Sequence, residues 1–520
     1  MRFVRVSSLL LALAAGACQT GPVNGTTAAG PVVGKTFTFQ GYWNAPSEVI
    51  SLQVMKDPTI DPNVAANWIQ FATATSSTTP TTINSTDPLY YWSVNASPVP
   101  TAFVSARWPQ GGLIRVRAFH NDANGGRLLT TFDDVTFGPC LSEQLSAGAD
   151  WATIGMKCAG IASPTAALVS TTNLPVAAGG FLGRKGDTTA TTTTNYYVTA
   201  GLPLTLPSFK STFGFPTGEV TATFFNDGDL GLGREMHCKA ISGGGVACYV
   251  TNYDGSADPN PAAHPVFTNS PTTILADAVA RTHGFATVAM VYTGGTGNNS
   301  VKFIAYGADG NFVTNAKLDS TGAHTSIPNN CLACHGINAS FNPSTLAVSG
   351  SAKFLPFDPF SYKYSTQAGF TLADQADKFR RLNALVRTAN PTPAIAELID
   401  GMYAPKAVTD PTAVANDDFV PDAWANVNGS LAGTSLYRGL VKVGCRTCHM
   451  SATSTLLDFN TYDDFDTFRD TIRNDVCGNQ HVMPHAERVM KKFWESGARA
   501  YLVTGFPPTT YPDPLQACKP

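Results

Sequence analysis

The stretch "NNCLACHGIN" at residues 329–338 sets two cysteines three positions apart and follows the second directly with a histidine. The same arrangement returns in "VGCRTCHMSA" at residues 443–452. The rest of the chain is rich in Thr, Gly and Asn, and the whole chain has only 9 histidines in 520 residues. Two copies of so unusual a pattern predict that one kind of site occurs twice.

The Cys-x-x-Cys-His pattern is the attachment signature of haem c. Two thiols about one helical turn apart can bond the two vinyl groups of one porphyrin, and the adjacent imidazole becomes an axial ligand of the iron. The pattern therefore predicts two covalently attached haem c groups. The residues predicted to hold them are the cysteines Cys331, Cys334, Cys445 and Cys448 and the iron ligands His335 and His449.

Three other chemistries also use paired cysteines. A zinc site built from both Cys-x-x-Cys pairs needs four thiolates, and a thioredoxin-like dithiol needs a β-α-β context that neither motif has. A structural disulfide within each pair is the third alternative. All three leave the histidine after each motif without a role, so haem attachment is the prediction.

The sixth ligand of each iron decides whether the iron is closed or open. Met483 precedes Pro484 near the start of the last predicted helix, an arrangement that resembles the distal methionine of class I cytochromes c. A thioether opposite histidine closes the iron to small ligands and raises its potential. His481 and His485 flank Met483 and are alternatives to it. The distal candidates for the first haem are His324, His237 and Met402.

Short alternating strands fill the first part of the chain. Apolar residues make up 43 % and charged residues 14 %, with 46 Gly and 35 Pro, a balance typical of a turn-rich β protein. These strands predict an Ig-like β-sandwich domain over 36–140. The strand-like runs lie at 36–42, 49–55, 89–94, 113–119 and 128–132.

A second β-rich domain is predicted over 181–325, after a connector at 141–180. It contains one predicted helix at 271–283, which begins with Pro271. The Thr-rich stretches at 72–87 and 187–195 are predicted to be loops or edge strands. The predicted strands of this domain lie near 219–225, 246–251, 285–292 and 301–306.

Helical periodicity replaces the strand pattern after residue 326. Residues 371–389 place Leu372, Phe379 and Val386 on one helix face. The predicted fold is therefore multidomain, with one or more β-sandwich-like N-terminal domains before an α-helical dihaem cytochrome c domain over 326–520. Further helices are predicted to begin at Pro393, at Thr461 and at Pro484, the last reaching about residue 503.

Residues 1–17 have the basic, apolar and small-residue regions of an export signal. Ala17 before Cys18 fits either a signal-peptidase site or a lipobox whose Cys18 is acylated. Residues 18–35 are mostly small and predict a flexible tether. The chain is therefore predicted to reach the bacterial cell envelope, in the periplasm or at the outer membrane. Its membrane contact is predicted to be the N-terminal lipid alone.

The number of cysteines is consistent with an oxidising compartment. Of the 11 cysteines four belong to the motifs, and six remain besides Cys18, as three disulfides would require. Cys18 is then the odd cysteine, which lipidation explains. The predicted disulfides are Cys140–Cys158, Cys238–Cys248 and Cys477–Cys518.

The charge of the chain argues against nucleic acid as a partner. A net charge of −3 and a pI near 6.3 lack the basic stripe that nucleic-acid binding needs. The predicted partners are redox proteins, either other cytochromes or envelope oxidoreductases.

Several stretches around the motifs resemble an uncharacterised family of bacterial envelope dihaem cytochromes c. The similarity covers roughly 284–505, with a preceding β-domain in "DLGLGREMHC" and "ACYVTNY", and leaves the residues before 140 uncovered. It implies two haems and electron transfer without an assigned reaction. A more distant similarity is to dihaem cytochrome c peroxidases. The stretches are "NCLACHG", "FLPFDPFSY", "FRRLNALV", "PTPAIAELIDGMY", "CRTCHM" and "MPHAERVMKKFW".

Two classes of function fit these patterns. The first is an exported dihaem cytochrome that transfers electrons at the cell envelope. The alternative is a dihaem peroxidase or oxygenase in which one iron keeps an open position. A third interpretation makes the β-sandwich a binding module for carbohydrate or a surface partner, but no aromatic platform in the sequence favours it.

Overall fold

The computed structural model describes most of residues 186–495 and several segments before them. Within these residues, no helix combines the length and apolar character that a membrane crossing needs. The described segments are 37–43, 46–55, 60–61, 64–79, 90–96, 113–120, 127–136, 186–294, 301–320, 324–417, 419–425, 436–454, 456–478 and 481–495, with single residues 182, 185, 498 and 502.

Two antiparallel sheets form in the N-terminal part of the chain. One has the strand order β3-β2-β5-β6, and the other pairs β1 with β4. Ile50, Leu52 and Val54 of β2 are fully buried, as the two-residue period of a strand requires. The strands are β1 (Phe37–Trp43), β2 (Val49–Met55), β3 (Trp68–Thr75), β4 (Tyr90–Ala96), β5 (Leu113–His120) and β6 (Arg127–Thr136).

The five predicted strand runs of this region are confirmed, and β3 is an addition that overlaps the Thr-rich stretch at 72–87. The β-rich character of the N-terminal part is therefore confirmed. Its sandwich arrangement stays a prediction.

A six-stranded antiparallel sheet follows, with the order β12-β11-β10-β9-β8-β7. Strands that are adjacent in the sheet are also adjacent in sequence, so the sheet is a meander. The four predicted strand runs are confirmed as β7, β9, β10 and β11, and β8 is an addition. The strands are β7 (Val220–Phe225), β8 (Gly233–Ile241), β9 (Gly245–Tyr253), β10 (Ala286–Tyr292), β11 (Lys302–Gly307) and β12 (Phe312–Val313).

One helix of this region replaces a predicted loop or edge strand. Residues Ala190–Thr199 are helical, so the prediction for 187–195 is wrong. Threonine is a weak helix former, but tertiary contacts override that preference. Tyr196 and Tyr197 are 3 % and 0 % exposed, and the Tyr197 hydroxyl donates to Val313 O at 2.8 Å. The helix therefore forms because its tyrosines pack on the sheet.

The remaining helices of the β-rich region are Leu206–Phe213 and Pro271–Ala280. The helix Pro271–Ala280 confirms the helix predicted at 271–283. It ends before Arg281, whose φ of 59° lies in the left-handed region. Two small hairpins pair β13 with β14 and β15 with β16. Their strands are β13 (Asn315–Lys317), β14 (His324–Ser326), β15 (Ser340–Asn342) and β16 (Ala347–Ser349).

The C-terminal part is mainly helical, as predicted. The helix predicted at 371–389 spans Leu372–Thr388 and starts with a capping box between Thr371 and Asp374. The last predicted helix begins at Glu487, three residues after Pro484. The helices are Asn329–His335, Leu372–Thr388, Pro393–Tyr403, Asp422–Ala425, Tyr437–Cys445, Arg446–His449, Tyr462–Thr467, Arg469–Cys477 and Glu487–Glu495.

One hydrophobic core joins the six-stranded sheet to the first motif. It contains Phe303 of β11, Leu332 between the first pair of cysteines, Leu382 and Met450. The boundary predicted at residue 325 therefore runs through a single packed core. A second core cluster lies beside the other motif and contains Trp424, Leu440, Phe465, Met490 and Phe493, with Cys445 and Met483 packed against it.

Gln375 closes one edge of the six-stranded sheet. It lies on the helix that packs against the edge strand β7 and is 0 % exposed. Its Oε1 accepts a hydrogen bond from Thr223 N at 2.7 Å, and its Nε2 donates to Thr223 O at 2.8 Å. The side-chain amide thus takes the place of a neighbouring strand at this position.

We predict that Gln375→Met lowers the free energy of unfolding by about 2–4 kcal/mol, because it leaves the buried Thr223 N–H and C=O without partners. Urea unfolding followed by circular dichroism measures the change. Gln367→Met, at an exposed position, is the matched control and should change little. Equal stability of the two variants would contradict this role for Gln375.

Candidate haem-binding centre

The first motif lies on the helix Asn329–His335. His335 Nδ1 lies 2.9 Å from Lys353 O, so this nitrogen donates to a main-chain carbonyl. Burial lowers the pKa of His335 and favours its neutral ring. A neutral imidazole that donates from Nδ1 carries its lone pair on Nε2, the atom that binds a metal.

The second motif spans two helical segments, a π-helix over Tyr437–Cys445 and a short α-helix over Arg446–His449. His449 Nδ1 lies 2.7 Å from Leu457 O, which repeats the arrangement of His335. The ring also stacks on Phe459 with a centroid distance of 4.3 Å. Both motif histidines are therefore oriented by a carbonyl from the segment that follows their own motif.

The described cysteines fall into two groups. Cys331, Cys334, Cys445 and Cys448 are free thiols. Cys238 and Cys248 form a disulfide with an S–S distance of 2.07 Å, which confirms that predicted pair. The cysteines that are free in the described part of the chain are thus those of the two motifs, and neither motif contains an internal disulfide.

The thiols sit in an environment that keeps them neutral. Burial raises the pKa of Cys331 and of Cys445 to about 12. A hydrogen bond with Cys448, together with burial, raises the pKa of Cys334. A reactive dithiol needs a lowered thiol pKa. These surroundings therefore disfavour the thioredoxin-like alternative.

The zinc alternative also lacks support from the geometry. Among the residues that the structure describes, no three side chains of His, Cys, Asp or Glu converge as a metal-binding group. The two cysteine pairs therefore do not form a four-thiolate cage in this arrangement.

A cavity of 860 Å³ opens beside the first motif, lined in part by Cys331, Cys334 and His335. Ligand pockets in proteins are roughly 300–1,000 Å³, so this cavity is large enough for a bulky planar group. Its lining is mostly apolar and includes Phe303, whose ring centroid is 5.6 Å from that of His335.

One face of the six-stranded sheet forms the wall of this cavity. Met236 pairs with Val250, Val250 with Val288, and Val288 with Ala305 across four neighbouring strands. All four residues line the cavity. Paired residues point to the same face of a sheet. The alternating pattern of the strands therefore determines which side chains meet the first motif.

Two ion pairs interrupt the apolar lining. Arg234 contacts Asp229 at 3.2 Å, and Arg446 forms a buried ion pair with Asp358. The Nε of Arg234 is buried and has no hydrogen-bond partner among the described residues. A guanidinium with an unused donor is suited to a carboxylate of a bound group, such as a porphyrin propionate.

The three residues predicted as distal ligands of the first haem differ in whether they line the cavity. His324 lines the cavity, whereas the cavity lining contains neither His237 nor Met402. Both ring nitrogens of His237 contact carboxylates at 3.0 Å, Nδ1 with Glu219 and Nε2 with Glu235. His237 is therefore placed for ion pairing, and its role as a distal ligand stays a prediction that these contacts do not favour.

Met402 is 2 % exposed within the main core and does not line the cavity, so its role as a distal ligand stays a prediction that this position does not favour. Three other methionines, which the sequence did not single out, line the cavity, namely Met236, Met290 and Met450. Strand alternation in β8 and β10 is the signal that could have identified the first two.

Met483 lies close to the second motif. It packs against the same core cluster as Cys445, and its backbone N–H donates to Asp475 O at 3.1 Å. A Cβ placed on Gly444 would lie 3.6 Å from Pro484 Cγ, so the Met483–Pro484 turn reaches the residue before Cys445. His481 and His485 adjoin this turn, and His485 is 7 % exposed.

Several predicted features lie outside the described residues. They include the export signal at 1–17, the tether at 18–35 with the lipidation site Cys18, and the connector at 141–180. Cys477 is disulfide-bonded, but its predicted partner lies in the undescribed part of the chain. The cysteines concerned are Cys18, Cys140, Cys158 and Cys518.

No protein-family model, curated protein or solved structure matches this chain. The resemblance to a family of envelope dihaem cytochromes therefore stays a prediction.

Asp458 follows Leu457, whose carbonyl orients His449, and the residue is 7 % exposed. Burial, with the nearby Asp464 and Glu397 carboxylates, raises its pKa from 3.8 to about 6. The folded state therefore binds the proton more tightly than the unfolded state. Stability must then fall as the pH rises from about 4 to above 6.

We predict that Asp458→Asn stabilises the protein by roughly 1–3 kcal/mol at pH 7.5 and that the gain disappears near pH 4. Urea unfolding at the two pH values measures the difference. Asp463→Asn, at an exposed position in the same segment, is the control for loss of a carboxylate and should change the stability little at pH 7.5. An equal gain at both pH values would contradict the raised pKa.

Proposed function

We propose that this protein is an exported dihaem c-type cytochrome that transfers electrons at the cell envelope. The observation that carries the proposal is the matching arrangement of the two motifs. In each, the histidine is oriented by a main-chain carbonyl, and two free cysteines precede it on a helical segment. Few other chemistries need this combination twice.

The residues at the first motif fit a haem group. Cys331 and Cys334 supply thiols for the thioethers, and His335 supplies the axial nitrogen. The sheet face supplies an apolar wall, and Arg234 supplies an unused donor for a carboxylate. When bound, the haem iron provides a one-electron redox couple whose potential responds to the burial and polarity of its surroundings.

The protein's own contribution is orientation and exclusion of water. The Lys353 and Leu457 carbonyls hold the two imidazoles in one tautomer and one orientation. The apolar lining of the cavity keeps water from the first site, which favours the neutral over the charged form of any group there. Thioethers from Met236, Met290 or Met450 at the first site and from Met483 at the second would close both irons.

The alternative function is a dihaem peroxidase or oxygenase. It requires that a haem bound at the first motif leave part of the 860 Å³ cavity open to a small oxidant. The methionines in the cavity lining favour the electron carrier. The two functions differ in whether one iron accepts an external ligand.

We predict that the exported protein carries two haems and that Cys331→Ala/Cys334→Ala and Cys445→Ala/Cys448→Ala each lose one. The pyridine haemochrome assay with protein quantification gives the haem content per chain. The control is Ser340→Ala/Ser349→Ala, which removes an exposed hydrogen bond of the β15–β16 hairpin outside the cavity and should keep both haems. A wild-type chain without haem would contradict the proposal.

We predict that Met483→Leu weakens the near-infrared band of methionine-bound ferric haem by the share of the second haem and opens one iron to cyanide. Leucine keeps the side-chain volume but removes the thioether sulfur. Met402→Leu is the matched control and should leave the band unchanged, because Met402 lies in the core. An unchanged band in Met483→Leu would rule out this ligand. Cyanide or peroxide binding to the wild-type protein would favour the enzyme.

A further inference from the structure

The segment that carries Met483 is held by the β-rich part of the chain. This segment, residues 483–492, is called the distal arm and runs from the turn at Met483 into the helix Glu487–Glu495. We propose that the turn between β7 and β8 positions Met483 for the second iron, with Arg488 as the positioning residue that connects turn and arm. The inference rests on the proposed function, because it needs a haem at the second motif with Met483 as its distal ligand.

Asp227, in the turn between β7 and β8, makes the main contact with the distal arm. The residue is 7 % exposed, and its Oδ1 accepts hydrogen bonds from Arg488 Nη2 and, at 2.7 Å, from Arg488 Nε. Lys492 Nζ, one helical turn further along, lies 3.2 Å from Asp227 Oδ2. Burial raises the pKa of Asp227, but the charges of Lys492, Lys363 and Arg488 outweigh burial and hold this pKa well below its usual range. Asp227 therefore holds the arm as a charged carboxylate.

Gly231 allows the turn to approach the arm this closely. Its φ is 71°, and a Cβ built on it would lie 3.1 Å from Arg488 Cγ and 3.2 Å from Arg488 Cδ. Glycine adopts this backbone conformation freely and leaves room for the stem of the arginine. The guanidinium carbon lies 5.7 Å from the ring centroid of Phe225, at the end of β7. The turn therefore contacts Arg488 along the whole side chain.

Two further contacts hold the start of the distal arm. Ser320, in the loop between β13 and β14, donates from its N to Glu487 Oε2 at 2.5 Å and from its Oγ to Glu487 Oε1 at 2.6 Å. Leu182 N donates to His485 O at 3.1 Å. All of these contacts, except that of Lys492, act within five residues of Met483. They restrict where the Met483 side chain can lie.

The segments that hold the distal arm also line the cavity beside the first motif. Gly228 and Asp229 of the β7–β8 turn belong to the cavity lining, as do Leu182 and Leu318. The same turn thus contacts the cavity through one set of residues and the distal arm through Asp227. The position of the predicted distal ligand of the second iron therefore depends on the wall of the first site.

The test compares variants of the full haem-loaded chain. Arg488→Met removes the guanidinium but keeps an apolar stem against Gly231. We expect this variant to keep two haems and to weaken the near-infrared band in the same direction as Met483→Leu. Its affinity for cyanide should rise about tenfold or more, because a distal arm destabilised by about 1.4 kcal/mol competes tenfold less well for the iron. Arg488→Lys keeps the charge beside Asp227 and should restore part of the band.

Hydrogen exchange gives a readout that does not depend on the iron. Peptides that cover the distal arm should exchange their amide hydrogens faster in Arg488→Met than in the wild-type protein, because fewer contacts hold the arm. The matched control is Arg387→Met. Arg387 also bonds one carboxylate through Nε and Nη2, that of Asp400, but it does so between the helices Leu372–Thr388 and Pro393–Tyr403. This control should change neither the band, the cyanide affinity nor the exchange of the arm.

The outcomes separate the positioning role from the proposed function. Two haems in Arg488→Met with an unchanged band, cyanide affinity and exchange rate would overturn the positioning role and leave the proposed function standing. Equal bands in the wild-type protein and Met483→Leu would do the same. A wild-type chain without haem would overturn the proposed function and this inference with it. If Arg488→Met does not fold, Lys492→Met should produce the same changes to a smaller extent, and their absence would count against the proposal.

Discussion

The hydrogen bond from each motif histidine to a main-chain carbonyl is the constraint on which the site depends. It fixes which nitrogen carries the proton and where the other points, at His335 through Lys353 O and at His449 through Leu457 O. Because the acceptors are backbone atoms, the orientation depends on the fold of the following segment and not on a second side chain. The segments around 353 and 457 are thus as much part of the site as the motifs.

The β-rich part of the chain has a direct role in this site. One face of the six-stranded sheet is the cavity wall, and the core of the sheet continues into the first motif helix through Leu332. Substitutions on that face therefore change the lining of the cavity and the packing of the core at once. The sheet is better regarded as half of a binding site than as a separate docking domain.

Local elements were predictable because neighbouring residues determine them. Strand β2 matches its predicted range of 49–55, and the capping box of Thr371 and Asp374 sets the start of the longest helix. The helix Ala190–Thr199 was not predictable from its sequence, because threonine favours extended structure. The packing of Tyr196 and Tyr197 on the sheet overrides that preference.

The contact between Cys334 and Cys448 could not be predicted from the sequence either. These residues are 114 positions apart, and local sequence patterns do not determine which distant segments come into contact. We propose that the cysteines of both motifs carry porphyrin, and peptide mass spectrometry of the mature, exported protein tests this most directly. We predict that the peptides spanning Cys331–Cys334 and Cys445–Cys448 each bear the mass of one haem. Both peptides at their unmodified mass would contradict it.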